Sequence, residues 1–484
     1  MLFDFGPISR YAEFVTYWRS TMMKSKEIGL NKTSAWRSID RKATDKLAAE
    51  YMSLIKDAKT EREFVEAATV VAQAGGYRIA DALSAKTLPK GGKLLFINRG
   101  KNAVIVRLGK RPLGEGANII AAHVDAPRID VKQNPLFEST GLGLFQTHYY
   151  GGIKKYQWVT IPLALHGVIY DKAGKKLQLR IGEEDNDPVF NISDILPHLG
   201  QAQGEKKLTE GVSGEALDAI VGHVPTDDKN DKTPIRSNIL KMLAKQLNVE
   251  ERAFAASELE LVPAMKPREV GFDRGLILAY GHDDRICGYT ALRGLLDQKK
   301  EPERTQVVFL VDKEEIGSEG DTGMQSEFLE LVIERLILET GEKTTARQVF
   351  WSSMALSADV GAGMDPNYLD VFEPTNAATV GNGIVITKFT GSRGKSSAHD
   401  ASAETLHKVL GLLDEAKVPW QVAEMGKVDV GGGGTVAKFL SKRGIETLDA
   451  GPALLSMHAP QELASKADLY ACYLAYKTFL EKAR

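Results

Sequence analysis

The adjacent glutamates Glu314 and Glu315 follow the apolar run Val307-Val308-Phe309-Leu310-Val311 and precede Ile316-Gly317-Ser318. Paired carboxylates at the end of a buried strand are costly unless a cation faces them. Four other places carry matching chemistry: His123-Val124-Asp125, Asp283-Asp284, Asp359 and His458, each at the end of an apolar run. Two divalent ions about 3.5–4 Å apart need a bridging carboxylate, a His and a carboxylate on each ion, and a free carboxylate as general base. This sequence supplies that set. One glutamate of the pair would bind metal while its neighbour takes a proton from water. Asp125 could fix the tautomer of His123. Within His282-Asp283-Asp284-Arg285, which opens a predicted helix, either aspartate suits a bridge, and one N-cap does not need both.

The elements that must position these groups alternate strand and helix. Apolar spacing of three and four predicts helices from about Ile8 to Gln73. Strands are expected at Leu94–Ile97, Ala103–Val106 and Asn118–Ala122, the last running into His123. After Asp130 the texture turns aromatic and glycine-rich, as in Gly141-Leu142-Gly143 and Tyr149-Tyr150-Gly151-Gly152. Short β segments are expected there, at Trp158–Ile161 and Leu177–Arg180. The α/β texture returns near Gly271, with a strand at Leu276–Tyr280 and a helix from Ile286 to Asp297. A closing amphipathic helix carries Leu463, Ala467, Tyr470 and Leu474. The expected fold is therefore α/β: a mixed-sheet catalytic domain from residues 1–128 and 272–484, interrupted by a mostly β domain at 129–271.

Composition narrows the function classes. A net charge of −2 gives no electrostatic case for nucleic acid or an anionic membrane. The two cysteines, Cys287 and Cys472, lack metal-type spacing and form no disulfide framework. The first residues carry no basic n-region or sustained apolar stretch, and no segment reaches about 18 consecutive apolar residues, so a cytoplasmic protein is expected.

The order and flanks of these motifs resemble the aspartyl aminopeptidase family of co-catalytic zinc peptidases, M18, and more distantly the M42 tetrahedral aminopeptidases. The match runs through His-Val-Asp-Ala-Pro at 123–127, Asp-Asp-Arg at 283–285, Glu-Glu-Ile-Gly-Ser at 314–318, Ser-Ala-Asp at 357–359 with Pro366-Asn367-Tyr368 after it, and Ser-Met-His at 456–458. The resemblance implies two zinc ions per subunit, with cobalt or manganese as alternatives. His123 and Asp359 would hold one ion, Glu315 and His458 the other, and Asp283 would bridge, because the family's bridging residue is the first of its pair and precedes an unusual peptide bond. Glu314 would be the general base and Asp125 would orient His123. Pro197-His198-Leu199 matches a motif that places His198 in a partner subunit's site as an oxyanion stabiliser. The family's eukaryotic members recognise acidic side chains through a basic, tyrosine-containing segment. Here Thr390 to Asp400 lacks the tyrosine but keeps Arg393 and Lys395, which could pair with a substrate carboxylate. The run Gly431–Gly434 lies near a turn beside the family's site. The implied function is removal of an N-terminal residue, Asp or Glu among the candidates, from peptides, by an enzyme assembled as dimers into a tetrahedral dodecamer. Two-metal carboxypeptidases and amide deacylases share the architecture, and an oligomeric shell with structural metals is a non-enzymatic alternative.

Overall fold

The structure is a computed structural model that describes residues 33–84 and 87–483. The expected N-terminal helices appear as Arg41–Asp57 and Glu61–Ala74; the expectation for Ile8 to Lys32 lies outside the described residues. Thr60 and Glu63 close a reciprocal capping box that fixes where the second helix begins.

The central sheet has nine strands in the order Arg78–Ala80, Lys93–Asn98, Asn102–Arg107, Thr305–Val311, Ala117–His123, Met354–Ala358, Glu446–Gly451, Ile384–Thr387 and Trp420–Val422. Its middle strands read as unbroken apolar runs because helices cover both faces. Leu47, Phe64, Leu292, Val409 and Phe479 pack on one face. Leu329, Val332, Leu336, Val349 and Leu440 pack on the other. Thr305–Val311 and Met354–Ala358 both run parallel to Ala117–His123, with Val311 opposite His123 and Ala358 opposite Ala122. Three strands therefore end together, and His123, Glu314-Glu315 and Asp359 emerge from one sheet edge. Ligand sites of α/β sheets form at such carboxyl ends.

A five-stranded sheet, ordered Arg268–Val270, Leu276–Ala279, Glu462–Ser465, Ala453–Leu455 and Gly361–Ala362, delivers the remaining groups. Its register sets Ala279 opposite Glu462. The turn after Ala279 carries Asp283, and the turn before Glu462 carries His458. Two expectations change here. Leu463 lies in the strand Glu462–Ser465, and the closing helix is Lys466–Lys482, because the Ser465 side chain caps it at Ala467 N–H. Trp158–Ile161 is not a strand: Thr160 has a positive φ of 62° and Pro162 follows, so the ladder begins at Leu163.

A six-stranded antiparallel sheet is built wholly from strands between Arg128 and Pro263. The helix Pro234–Leu247 covers part of one face through Ile235 and Ile239. A buried charge network joins this sheet to the N-terminal helices. Lys59 Nζ donates to Glu183 at 2.6 Å and to the Pro263 carbonyl at 2.7 Å. His166 lies between Glu63, at 2.7 Å, and Glu183, at 3.0 Å. Arg128 pairs with Glu61, Asp130 and Glu260. Removing one member of such a network strands its partner's charge, so the junction is held in one arrangement.

Candidate metal centre

Asp283 sits at the middle of the cluster. Its Oδ1 lies 3.0 Å from His123 Nε2 and its Oδ2 lies 3.2 Å from His458 Nε2. Glu315 Oε1 is 3.4 Å from the same His458 nitrogen, and Asp359 Oδ1 is 4.0 Å from His123 Nε2. Single ligand atoms from His123, Asp283 and Glu315, and from His123, Asp284 and Asp359, lie within 4.8 Å of one another. The peptide bond between Asp283 and Asp284 is cis. Among the described residues Asp283 alone spans both histidines, whereas Asp284 groups with His123 and Asp359.

The hydrogen-bond chemistry of the histidines identifies what the cluster is built to hold. His123 Nδ1 faces Asp125, 3.1 Å from its carbonyl and 3.3 Å from its carboxylate, so this nitrogen carries the proton. His458 Nδ1 is 2.8 Å from the Gly152 carbonyl and is likewise the protonated one. In the neutral rings both Nε2 lone pairs then point at carboxylate lone pairs. Asp283 Oδ1, Glu315 Oε1 and both Asp284 oxygens are buried without a hydrogen-bond partner. Opposed lone pairs in a buried site are the signature of a cation seat, and nitrogen with carboxylate oxygen suits zinc and related divalent ions. Without a cation the site must draw in protons instead. Burial alone would lower the His458 pKa, but its hydrogen bond to Asp283 and the Glu315 charge raise it to about 10.

The surrounding elements explain the precision. Asp125 accepts the Glu314 and Glu315 backbone N–H groups at 3.2 Å each, locking the turn that follows Lys313. Burial pushes the Glu314 carboxyl up to about 7, with Asp125 and Asp283 adding to the effect and the histidines opposing it. Gly281 has φ +72°, and a Cβ there would fall 1.9 Å from Arg285 Nη1. That close approach lets buried Arg285 brace the carbonyls of Val124 and Lys59, at 3.2 and 2.7 Å. His282 is no ligand: Tyr51 O–H occupies its Nδ1 at 2.8 Å, and its Nε2 donates to the Ile277 carbonyl at 3.2 Å.

Sequence reasoning missed Glu462. Its Oε1 accepts the His458 N–H at 2.7 Å and its Oε2 accepts the Asp283 N–H at 3.0 Å, so one buried side chain ties together the backbones of two candidate ligands. The spacing His458-x-x-x-Glu462 was the available signal.

Arg393 and Lys395 line a cavity of about 450 Å³ that Asp359 also lines. Its walls include Val360, Val385, Phe389 and Met425. Lys395 is held by Asp400 at 3.2 Å and lies over the Phe389 ring at 4.0 Å. Gly431 and Gly433 belong to the same cavity, and Gly432 and Gly433 pair with Ser392 and Gly391. A Cβ on Gly431 would fall 1.7 Å from the Met425 carbonyl, so this run is a close backbone approach and not a free surface turn. His198, in the short turn Pro197–Leu199, is exposed and makes no contact with the cluster of its own chain.

Comparison with known proteins places the chain in a family. The sequence profile of the aminopeptidase I zinc metalloprotease family, M18, matches residues 54–480. A probable M18 family aminopeptidase 1 from Clostridium acetobutylicum is 46% identical over 454 residues, covering 92% of this chain and 97% of that protein. The crystal structure of an M18 family aminopeptidase from Thermotoga maritima superposes with a TM-score of 0.89 at 42% identity, covering 94% of this chain and 100% of that one. The Saccharomyces cerevisiae mApe1 dodecamer shares the fold, with a TM-score of 0.72 at 22% identity over 91% of this chain and 97% of that one. The chain belongs to the aminopeptidase I zinc metalloprotease family, M18, and is a metal-dependent aminopeptidase, a hydrolase of peptide bonds.

Proposed function

We propose that the cluster is a two-ion centre in which His123 and Asp359 hold one ion, His458 and Glu315 hold the other, and Asp283 bridges. The observation that carries this reading is the opposition of both imidazole Nε2 atoms to the two oxygens of one Asp283 carboxylate, at 3.0 and 3.2 Å. Zinc is the ion the family implies, with cobalt and manganese suited to the same donors. When bound, the ions activate a water and polarise the scissile carbonyl. Glu314, adjacent to the cluster and bonded to no ligand atom of it, accepts the proton of the attacking water as its oxygen bonds to the carbonyl carbon. Glu314 then returns that proton to the amine nitrogen as the C–N bond breaks. Asp125 holds His123 in the tautomer that leaves Nε2 free.

The first side chain of the substrate enters the cavity beside Asp359. Arg393 carries no ion pair among the described residues, whereas Lys395 is held by Asp400, so Arg393 is the residue that reads an acidic side chain. The apolar walls accept neutral side chains as well. With metal-loaded enzyme and dipeptides of varied first residue, Asp, Glu, Leu and Met should be released. Arg393→Ala should slow release of Asp and Glu alone, by roughly 10- to 100-fold, the worth of a charge-assisted hydrogen bond. Fastest release of Lys or Arg, or an unchanged Asp-to-Leu ratio in the variant, would contradict this assignment.

Residues 129–271 are proposed as an inserted assembly domain. Ile195, Leu196, Leu199 and Leu208, close to His198 in the sequence, are all exposed, and large apolar side chains left open in this way suit self-association. That supports dimers built toward a dodecamer, with His198 reaching a partner's site. No helix among the described residues is long and apolar enough to cross a membrane, and both cysteines are free and buried; the cytoplasm is the location proposed.

A further inference from the structure

Each candidate histidine ligand turns its outward nitrogen toward a fixing group, and both fixing groups trace to one short segment of the insert. His458 Nδ1 donates directly to the Gly152 carbonyl at 2.8 Å. His123 Nδ1 faces Asp125, and Asp125 Oδ2 accepts the Tyr150 hydroxyl at 2.8 Å. The same Oδ2 receives the Glu315 N–H, while Oδ1 receives that of Glu314. Tyr150 ends the strand Leu142–Tyr150 and pairs in register with Arg128, whose guanidinium lies 4.0 Å from the centre of the Tyr150 ring. Between the two contacts, Gly151 has φ +76°, and a Cβ there would lie 3.3 Å from Glu315 Cβ and Oε2. A Cβ on Gly152 would lie 3.5 Å from His458 Nδ1. Of three consecutive residues, Tyr150 therefore holds the Asp125 support of His123, Gly151 rests against Glu315, and Gly152 is the support of His458.

We infer that Tyr150-Gly151-Gly152 is a positioning strap through which the insert sets the affinity of the metal centre. The inference rests on the two-ion reading of the cluster. Tyr150 touches neither substrate nor ion; it acts by holding Asp125, which orients His123 and the turn carrying the glutamates. Partners that orient metal ligands in this way are worth roughly 10- to 100-fold in metal affinity. The structure also makes the strap directional. The Arg128, Glu61 and Glu260 network anchors it from behind, so displacement of the insert relative to the nine-stranded sheet moves both supports at once.

The test is chelator competition on metal-stripped full-length protein, giving its dissociation constants for zinc, with the visible absorption of the cobalt-loaded protein as a second readout. Tyr150→Phe keeps the ring and removes only the donor. It should bind metal roughly 10- to 100-fold more weakly and shift the cobalt spectrum. Tyr149→Phe, at the exposed neighbouring position, should do neither. Gly151→Ala, strained at positive φ and pressed against Glu315, should also weaken binding and serves if Tyr150→Phe proves unfolded by circular dichroism. Dissociation constants in both Tyr150→Phe and Gly151→Ala equal to those of the unaltered protein would overturn the strap while leaving the metal centre standing. Failure of the unaltered protein to bind metal would overturn the centre and the strap with it.

Discussion

Glu314→Gln should lower kcat by roughly 10²- to 10⁴-fold, the usual contribution of a positioned general base, while the protein keeps both metal ions. The amide fills the same volume, so the turn after Lys313 should be unchanged, and the Asp125 bonds that fix it go to the backbone. What is lost is the ability to accept a proton. The pH profile supplies a second reading of the same residue. Burial, with help from Asp125 and Asp283, raises the Glu314 carboxyl to about 7 before any cation is bound, and divalent ions beside it pull that value down. A base works only when deprotonated, so kcat/KM should rise with pH along an acid limb centred below 7 and then level. Activity that falls between pH 5 and 7, or loss of metal from the glutamine variant, would contradict the role.

Asp283→Asn should cost the protein its metal and its activity together. The carboxylate is the one group facing both imidazoles, and an amide presents one oxygen and a nitrogen donor where two anionic oxygens stood. One side of the bridge then points N–H protons at a would-be ligand seat, and the charge that balanced two cations is gone. Elemental analysis of purified protein should find fewer than one ion per chain. Asp284→Asn should do less, because Asp284 groups only with His123 and Asp359. The reverse ranking would assign the bridge to Asp284.

The residues that the fold gathers into one cluster stood out in the sequence for a physical reason. His123 ends a strand buried on both faces, Asp359 directly follows another, and Glu314 and Glu315 lie just past the end of a third, so each polar group stands out against the apolar run before it. The supports were not legible, because they depend on register and on contacts between sheets. Glu462 reaches Asp283 only because Ala279 and Glu462 lie opposite each other. Tyr150 reaches Asp125 only because the strand Leu142–Tyr150 ends beside the end of Ala117–His123, and in sequence it was merely aromatic texture. Local signals also misled where a single residue overruled propensity. The spacing Leu463, Ala467, Tyr470, Leu474 fits a helix throughout, yet the Ser465 cap starts it at Lys466. Trp158 to Ile161 has strand composition, but Thr160 sits at positive φ and the segment bends, burying Trp158 completely. The role proposed for His198 would depend on a second chain, which neither its sequence context nor its exposed position within one chain supplies.

Metal-dependent removal of the N-terminal residue can be read in a single experiment. A hexapeptide with a free amine, and the same peptide acetylated, are incubated with metal-stripped protein and with protein reloaded with zinc or cobalt, and the products are read by mass spectrometry. The expected result is stepwise loss of single residues from the free N-terminus, only after reloading, with the acetylated peptide intact. Shortening from the C-terminus, release of acetate, or equal cleavage without metal would contradict the account.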